Sequence, residues 1–248
     1  MTKIKLLFTC PHNGTQQTDK IRNEDNLNNT CNPDEFSIEN DIGTEDLTER
    51  IVTHIKRLSG KDPYKQIAEV DREYVDHNRE ELCAYVESDL RAQTAYREYH
   101  KGILQIIEEM LPQNENGIAF LFDIHGTDNV EVNGNFIEVI IGTDKGNSRQ
   151  SLTEINPDYF WGPHGFIPLL KKKGIRVFPR NESEERMDFE LDGGYTIKTY
   201  GSSQPQPRKG LVAIQIEVIR SIRGGLYCRE KFAADIADCI WTFVYPFI

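Results

Sequence analysis

Polar and apolar positions alternate from Lys3 and then turn continuously apolar at Leu6-Leu7-Phe8, until Pro11 and Asn13-Gly14 interrupt them. That pattern predicts a buried strand over Lys3–Cys10 ending in a turn that carries His12. Gly14 to about Asn40 is polar and aperiodic, which predicts a long surface loop of the kind that is usually functional or mobile. Leu47, Ile51, Ile55 and Leu58 then recur at helical spacing, predicting a helix over Glu45–Leu58 with Thr44 as its N-cap and Glu45 and Asp46 at the positive end of its dipole. A second strand is expected around Gln66–Val75, running into Asp76-His77-Asn78-Arg79. A long helix follows, with Tyr96, Tyr99, Ile103, Ile106 and Met110 on one face and Leu111-Pro112 as its stop. Gly117–Ile124 is apolar on both faces until Asp123, as a strand covered from both sides must be, and it ends in His125-Gly126. Further strands are predicted at Asn135–Ile141, Arg176–Phe178 and Leu211–Ile219, and a closing amphipathic helix at Glu230–Phe243. No repeat or linker interrupts the alternation, which implies one three-layer α/β/α domain over residues 1–248, built on a mixed, mostly parallel sheet.

Composition narrows the classes. The 248 residues are 38% hydrophobic and 28% charged, the balance of a soluble globular chain. No apolar run approaches the roughly 18 residues of a spanning helix, and residues 1–10 are too short and too alternating for a secretory signal, so membrane and secreted readings are set aside. With 29 Lys plus Arg against 40 Asp plus Glu, the net charge of -11 repels a nucleic-acid backbone; the short run Lys171-Lys172-Lys173 reads as a solvated helix end. Five cysteines, an odd number without CxxC spacing, argue against a disulfide framework or a thiolate zinc finger, and point to a reducing cytoplasm.

The candidate chemistry lies at strand ends, where open α/β sheets place ligands. His12 and His125 each follow a buried strand. Either alone is more often a turn or core residue, but together they suggest a zinc pair that needs a third protein ligand. His54 and His164 read as surface residues, and His100, beside Tyr96 and Tyr99, either supports a site from behind or is a half-buried helix residue. Glu217 stands in the apolar run AIQIEVI, where a carboxylate is either outward-facing or placed for proton transfer. Arg79 could form an ordinary salt bridge with Glu80 or Glu81, or grip a substrate carboxylate with its planar fork. A serine or cysteine hydrolase is disfavoured, since no GxSxG elbow exists and Cys10 lies within a strand.

Taken in order, these fragments resemble the N-formylglutamate amidohydrolases, relatives of zinc carboxypeptidases and aspartoacylases. Pro11-His12-Asn13-Gly14 is similar to the family's Pro-His-Ser-Gly, Asn40-Asp41-Ile42-Gly43-Thr44 to its acidic motif, and Asp76-His77-Asn78-Arg79 to its Asp-Leu-Asn-Arg. Asp123-Ile124-His125-Gly126 resembles Asp-Leu-His-Ser, Gly193-Gly194-Tyr195 resembles Gly-Gly-Tyr, and Gln215-Ile216-Glu217 with Leu226-Tyr227 resembles Gln-Ile-Glu with its downstream Leu-Tyr. The resemblance implies a phosphorylase/hydrolase-like fold, one zinc ion on His12 and His125, Glu217 as general base, and Asn78, Arg79, Gly194 and Tyr195 around the substrate. Asp41 is the expected third ligand, with Glu39 and Glu45 as alternatives, because the carboxypeptidase His-x-x-Glu would need an acid where Thr15 stands. The implied reaction is hydrolysis of an N-acyl acidic amino acid, N-formylglutamate first, with Lys198, Arg208 and Lys209 as secondary cations for the anionic substrate. His77, Gly126-Thr127 and the 14–40 loop depart from the family pattern and bear on the substrate. A γ-glutamyl or C-terminal peptide substrate, or a non-catalytic binding protein, are the alternatives.

Overall fold

The computed structural model describes residues 3–26, 28, 30–111, 117–201 and 210–248. Arg208 and Lys209 lie outside the described residues, as does the Pro112 helix stop.

Strands β1 (Lys3–Cys10), β2 (Asp62–Ile67), β3 (Ala119–Thr127), β6 (Val139–Gly142), β7 (Val177–Phe178) and β8 (Leu211–Ile219) form a six-stranded sheet in the order β2-β1-β3-β8-β6-β7. β4 (Val130–Val132) and β5 (Asn135–Ile137) make a separate antiparallel pair. The β2, β1, β3 and β8 strands run parallel, and β6 turns antiparallel against β8. The sheet is therefore mixed and mostly parallel, as expected.

Side-chain alternation along β1 sends Ile4, Leu6 and Phe8 to one face and Leu7 to the other. The first set packs against helices α1 (Thr44–Ser59), through Leu47, Ile51 and Ile55, and α5 (Leu226–Val244), through Ile236 and Ile240, with the shorter helix α3 (Phe166–Lys172) beside them. Leu7, with Leu121 and Ala213, packs against α2 (Leu90–Met110) through Tyr99, Ile103 and Ile107, and against α4 (Tyr195–Tyr200) through Ile197 and Tyr200. Both faces of the central strands are thus covered, and each fully buried large apolar side chain contributes about 1.5–3 kcal/mol.

Several boundaries differ from the sequence reading for local reasons. α1 is capped by Gly43 at φ +90°, and Thr44 is already helical, its Oγ donating to the Asp41 carbonyl. The second strand comes earlier than expected, at Asp62–Ile67, and tolerates Pro63 because β2 is at the sheet edge. Asn135–Ile141 divides into two strands belonging to different sheets, with the break at Glu138, whose backbone N–H donates to Arg176. On α2 it is Ile107 that is buried, with Ile106 only partly so. α5 begins at Leu226, ahead of the expected Glu230.

The 14–40 segment is largely exposed, yet it is tied down along its length. Thr15 and Gln16 donate backbone hydrogen bonds to Glu69, Arg22 donates to Glu73, and the Asp89 carboxylate accepts from the Thr18 hydroxyl and from the Asp19 and Lys20 amides. A disulfide joins Cys31 to Cys83, with Cα atoms 5.6 Å apart. The odd count without CxxC spacing argued against a disulfide framework; one pair nevertheless meets, and such pairing is typical of oxidising compartments. Cys10, Cys228 and Cys239 are free. No helix among the described residues is long and apolar enough to cross a membrane.

Candidate functional site

His12 follows the end of β1, and Asp41 is brought against it by a backbone hydrogen bond from Asp41 N to the His12 carbonyl (2.7 Å). His125 lies near the end of the neighbouring strand β3. All three side chains are buried, and one ligating atom from each falls within 4.8 Å of the others. Asp41 Oδ2 lies 3.3 Å from His12 Nδ1 and 3.4 Å from His125 Nδ1. The alternative acids Glu39 and Glu45 are exposed.

The opposite ring nitrogens fix how these imidazoles present themselves. His12 Nε2 faces Asp76 Oδ1 at 2.7 Å, and His125 Nε2 faces Asp123 Oδ2 at 2.9 Å. An ionised carboxylate can only accept, so each Nε2 carries a proton, and Nδ1 of each ring, facing Asp41, is the atom left to ligate a metal once that ring is neutral. Three acceptors converge with Gly126 N, 3.0 Å from Asp41 Oδ2, as a donor at their edge. An acceptor set of two imidazoles and one carboxylate, each imidazole braced by a second carboxylate, fits a divalent metal.

The local electrostatics agree. Burial would raise the Asp41 pKa, but the hydrogen bonds it accepts from Nδ1 of His12 and His125 when those rings are protonated outweigh that and hold it well below the carboxylate range. Asp76 is fully buried, yet Arg72 and His12 keep it ionised; Asp123 is likewise buried and kept low by His125 and Thr9. Burial works against a charge on His125, and the Asp123 carboxylate overrides it, so a proton and a metal compete for the same ring.

Glu217 enters through sheet register. In the β3–β8 ladder Asp123 pairs with Gln215 and His125 with Glu217, which sets Gln215 and Glu217 beside the histidine strand. β8 is buried throughout, so Glu217 is not the outward-facing residue that alternation allowed. Its Oε1 is 4.0 Å from His125 Nδ1 and accepts a 2.9 Å hydrogen bond from Gln215 Nε2. Burial raises its pKa to about 7, offset in part by His125, which suits a group that takes and returns a proton near neutrality.

A cavity of about 330 Å³ adjoins this cluster, lined by Asn78, Arg79, Gly194, Tyr195 and Lys198 among others. Asn78 links the two regions: its Nδ2 lies 3.4 Å from His125 Nε2, and its Oδ1 accepts from Thr196 N at 2.8 Å. Gly194 passes so close that a Cβ there would stand 2.1 Å from Asn78 Nδ2, while its N–H donates to Gln215 Oε1 at 2.7 Å. A side chain at 194 would displace the asparagine. Arg79 Nη1 donates to the Asn78 carbonyl at 3.0 Å, and Arg79 is half-buried at the cavity wall. His100 is buried behind it, accepting from the Tyr200 hydroxyl (2.7 Å) and donating to the His77 carbonyl (3.1 Å), with burial lowering its pKa to about 4. His54 is half-buried and pairs with Glu230 far from the cluster, and His164 is exposed.

Several residues around the cluster were not assigned roles from sequence. Asp123 and Gln215 each stand two positions before His125 and Glu217, a period-two signal that could have found them. Arg72 stands four before Asp76 and binds it at 3.1 Å. Arg223 gave no signal: buried, it donates to the carbonyls of Val218, Thr127 and Ile42, tying together three segments at the site's rim. Its passage explains one departure from the family pattern, because a Cβ at Gly126 would come within 2.2 Å of Arg223 Cζ. Cys10 is buried, and burial pushes its thiol up to about 12, consistent with an inert residue.

No protein-family model matches the sequence, and no curated protein does. Among solved structures, the fold is similar to an N-formylglutamate amidohydrolase from Ralstonia eutropha JMP134, at a TM-score of 0.60 and 15% identity over 95% of this chain and 91% of the other. It is also similar to a gene product from Agrobacterium tumefaciens, at a TM-score of 0.56 and 13% identity over 98% of this chain and 91% of that one. Identities this low bear on the fold alone.

Proposed function

We propose that the chain is a zinc-dependent hydrolase that cleaves the amide of an N-acyl acidic amino acid, with N-formylglutamate as the first substrate to test. The observation that carries this reading is the buried convergence of His12, Asp41 and His125 with Glu217 alongside, next to a cavity walled by Arg79. The fold's likeness to an N-formylglutamate amidohydrolase supports it. His12, Asp41 and His125 would hold the metal, which when bound supplies Lewis-acid polarisation of the acyl carbonyl and acidifies a water.

The chain's own residues do the rest. Glu217, held by Gln215, takes a proton from the attacking water and returns it to the departing amine nitrogen. Asn78 and Arg79 bind the substrate carboxylate, and Tyr195 and Gly194 close the same wall. Fixing the carboxylate sets the scissile carbonyl against the metal ligands, and such orientation contributes several kcal/mol, up to about 7–11 in the best-aligned systems. Gln215 joins the two halves, since it donates to Glu217 and accepts from Gly194.

The test is metal content per chain on wild type and His125→Ala, with formate release from N-formylglutamate assayed on the same samples. One zinc per chain, lost with His125 together with formate release, is the expected result. Zinc without formate release keeps the hydrolase and rejects this substrate, sending the protein to a panel of N-acyl amino acids and short peptides. A wild type that cannot be loaded with metal overturns the reading.

A further inference from the structure

We propose that Arg22 is a specificity-determining residue that binds a second carboxylate of the substrate, so that the cavity selects dianionic over monoanionic N-acyl amino acids. This deepens the amide-hydrolase reading and rests on it. Arg22 belongs to the polar 14–40 segment, yet it is only 2% exposed and ranks with the core phenylalanines among the largest fully buried side chains. Its Nη1 donates to the carbonyls of Ser37 (3.1 Å) and Arg72 (2.8 Å), and its guanidinium stands 5.2 Å from the centre of the Phe36 ring. Those contacts hold the head group in place without neutralising it.

The Nε of Arg22 is buried and has no hydrogen-bond partner. The carboxylate closest in reach, Asp76 Oδ2, is 3.9 Å from Nη2 and is already bound by Arg72 at 3.1 Å. Burial, together with the nearby Arg72 and Arg79 charges, lowers the Arg22 pKa to about 10 despite Asp76. An unmet buried N–H on a charged group costs about 1–3 kcal/mol or more, a cost that a ligand carboxylate would remove. Arg22 lines the same cavity as Asn78 and Arg79, the pair assigned to the first carboxylate, so a second carboxylate of the same ligand falls to Arg22. Cys31 and Cys83 line the cavity as well, so the disulfide pins the Arg22 segment to the wall that carries Arg79.

The experiment compares wild type, Arg22→Gln and Arg22→Lys on N-formylglutamate and on N-formylglutamine, near-isosteres with two carboxylates and one. Calorimetric Kd values for glutarate and its monoamide are measured in parallel, and thermal melting checks each variant's fold. The wild type is expected to prefer the dianion, and Arg22→Gln to reduce that preference about 10- to 100-fold in kcat/KM and in Kd, as loss of a charge-assisted hydrogen bond does. Arg22→Lys should recover part of it. A purely structural role would lower both substrates equally; equal loss, an unchanged preference, or a wild type that does not distinguish the ligands overturns the proposal. If neither amide is hydrolysed, the hydrolase reading fails while the glutarate-to-monoamide ratio still decides the role of Arg22.

Discussion

The strand-borne set of Asp123, His125, Gln215 and Glu217 and the cavity beside it are built by different means. His125, Asp123, Gln215 and Glu217 come from two adjacent strands whose register is fixed by a continuous parallel ladder, and Thr9 on the next strand donates to Asp123 at 2.5 Å. The cavity takes Arg22 and Arg79 from connections and Tyr195 and Lys198 from the short helix α4, held by a disulfide, side-chain hydrogen bonds and close glycine approach. The difference teaches that the proposed proton-transfer residue sits on a continuous hydrogen-bonded ladder, while the proposed substrate contacts, like the candidate ligands His12 and Asp41, come from segments outside the sheet.

Substitutions on each side should therefore separate proton transfer, metal binding and substrate affinity. The largest effect is expected from Glu217→Gln, which should lower kcat by about 10²–10⁴-fold with zinc content unchanged. Loss of metal along with activity would instead place Glu217 among the ligands, a distinction that elemental analysis makes directly. Next comes Asp123→Asn, which removes the acceptor orienting His125. It should weaken zinc about 10- to 100-fold in chelator competition while leaving KM close to wild type. A rise in KM without loss of affinity for metal would instead place the effect of Asp123 in the cavity, reached through Asn78. The smallest effect on the chemistry is expected from Cys31→Ser. Opening a link across 52 residues should lower stability by on the order of 2–4 kcal/mol, read as a drop in Tm, and raise KM for the anionic substrate with metal affinity unaltered.

The same division explains what could be read from sequence. β1 and β8 fall at Lys3–Cys10 and Leu211–Ile219 as expected, because continuous apolar runs have few other ways to be buried. His12 and His125 were visible as polar residues following apolar runs, Glu217 as a carboxylate inside one, and Asp41 as an acid before a helix. Arg22, Arg223 and the Cys31–Cys83 pair were not, since each acts across a separation that no periodicity encodes: Arg223 reaches Ile42, and Arg22 reaches Arg72. Counting cysteines misled for the same reason, as an odd total says nothing about whether two of them meet. The Asn135–Ile141 run was misjudged because two short strands in different sheets share one apolar stretch.

The disulfide has a further consequence for the chain as a covalent object. Residues 31 to 83 form a closed ring that contains Asp41, Asp76, Asn78 and Arg79, whereas His12, His125 and Glu217 hang outside it. A protease that cuts once within that ring leaves a single molecule with two free ends and every site residue still attached. A cut outside it releases a fragment. Nicked protein would therefore run at full length on a non-reducing gel and fall into two pieces only when thiol is added, so that the site's two halves stay tethered after a backbone break.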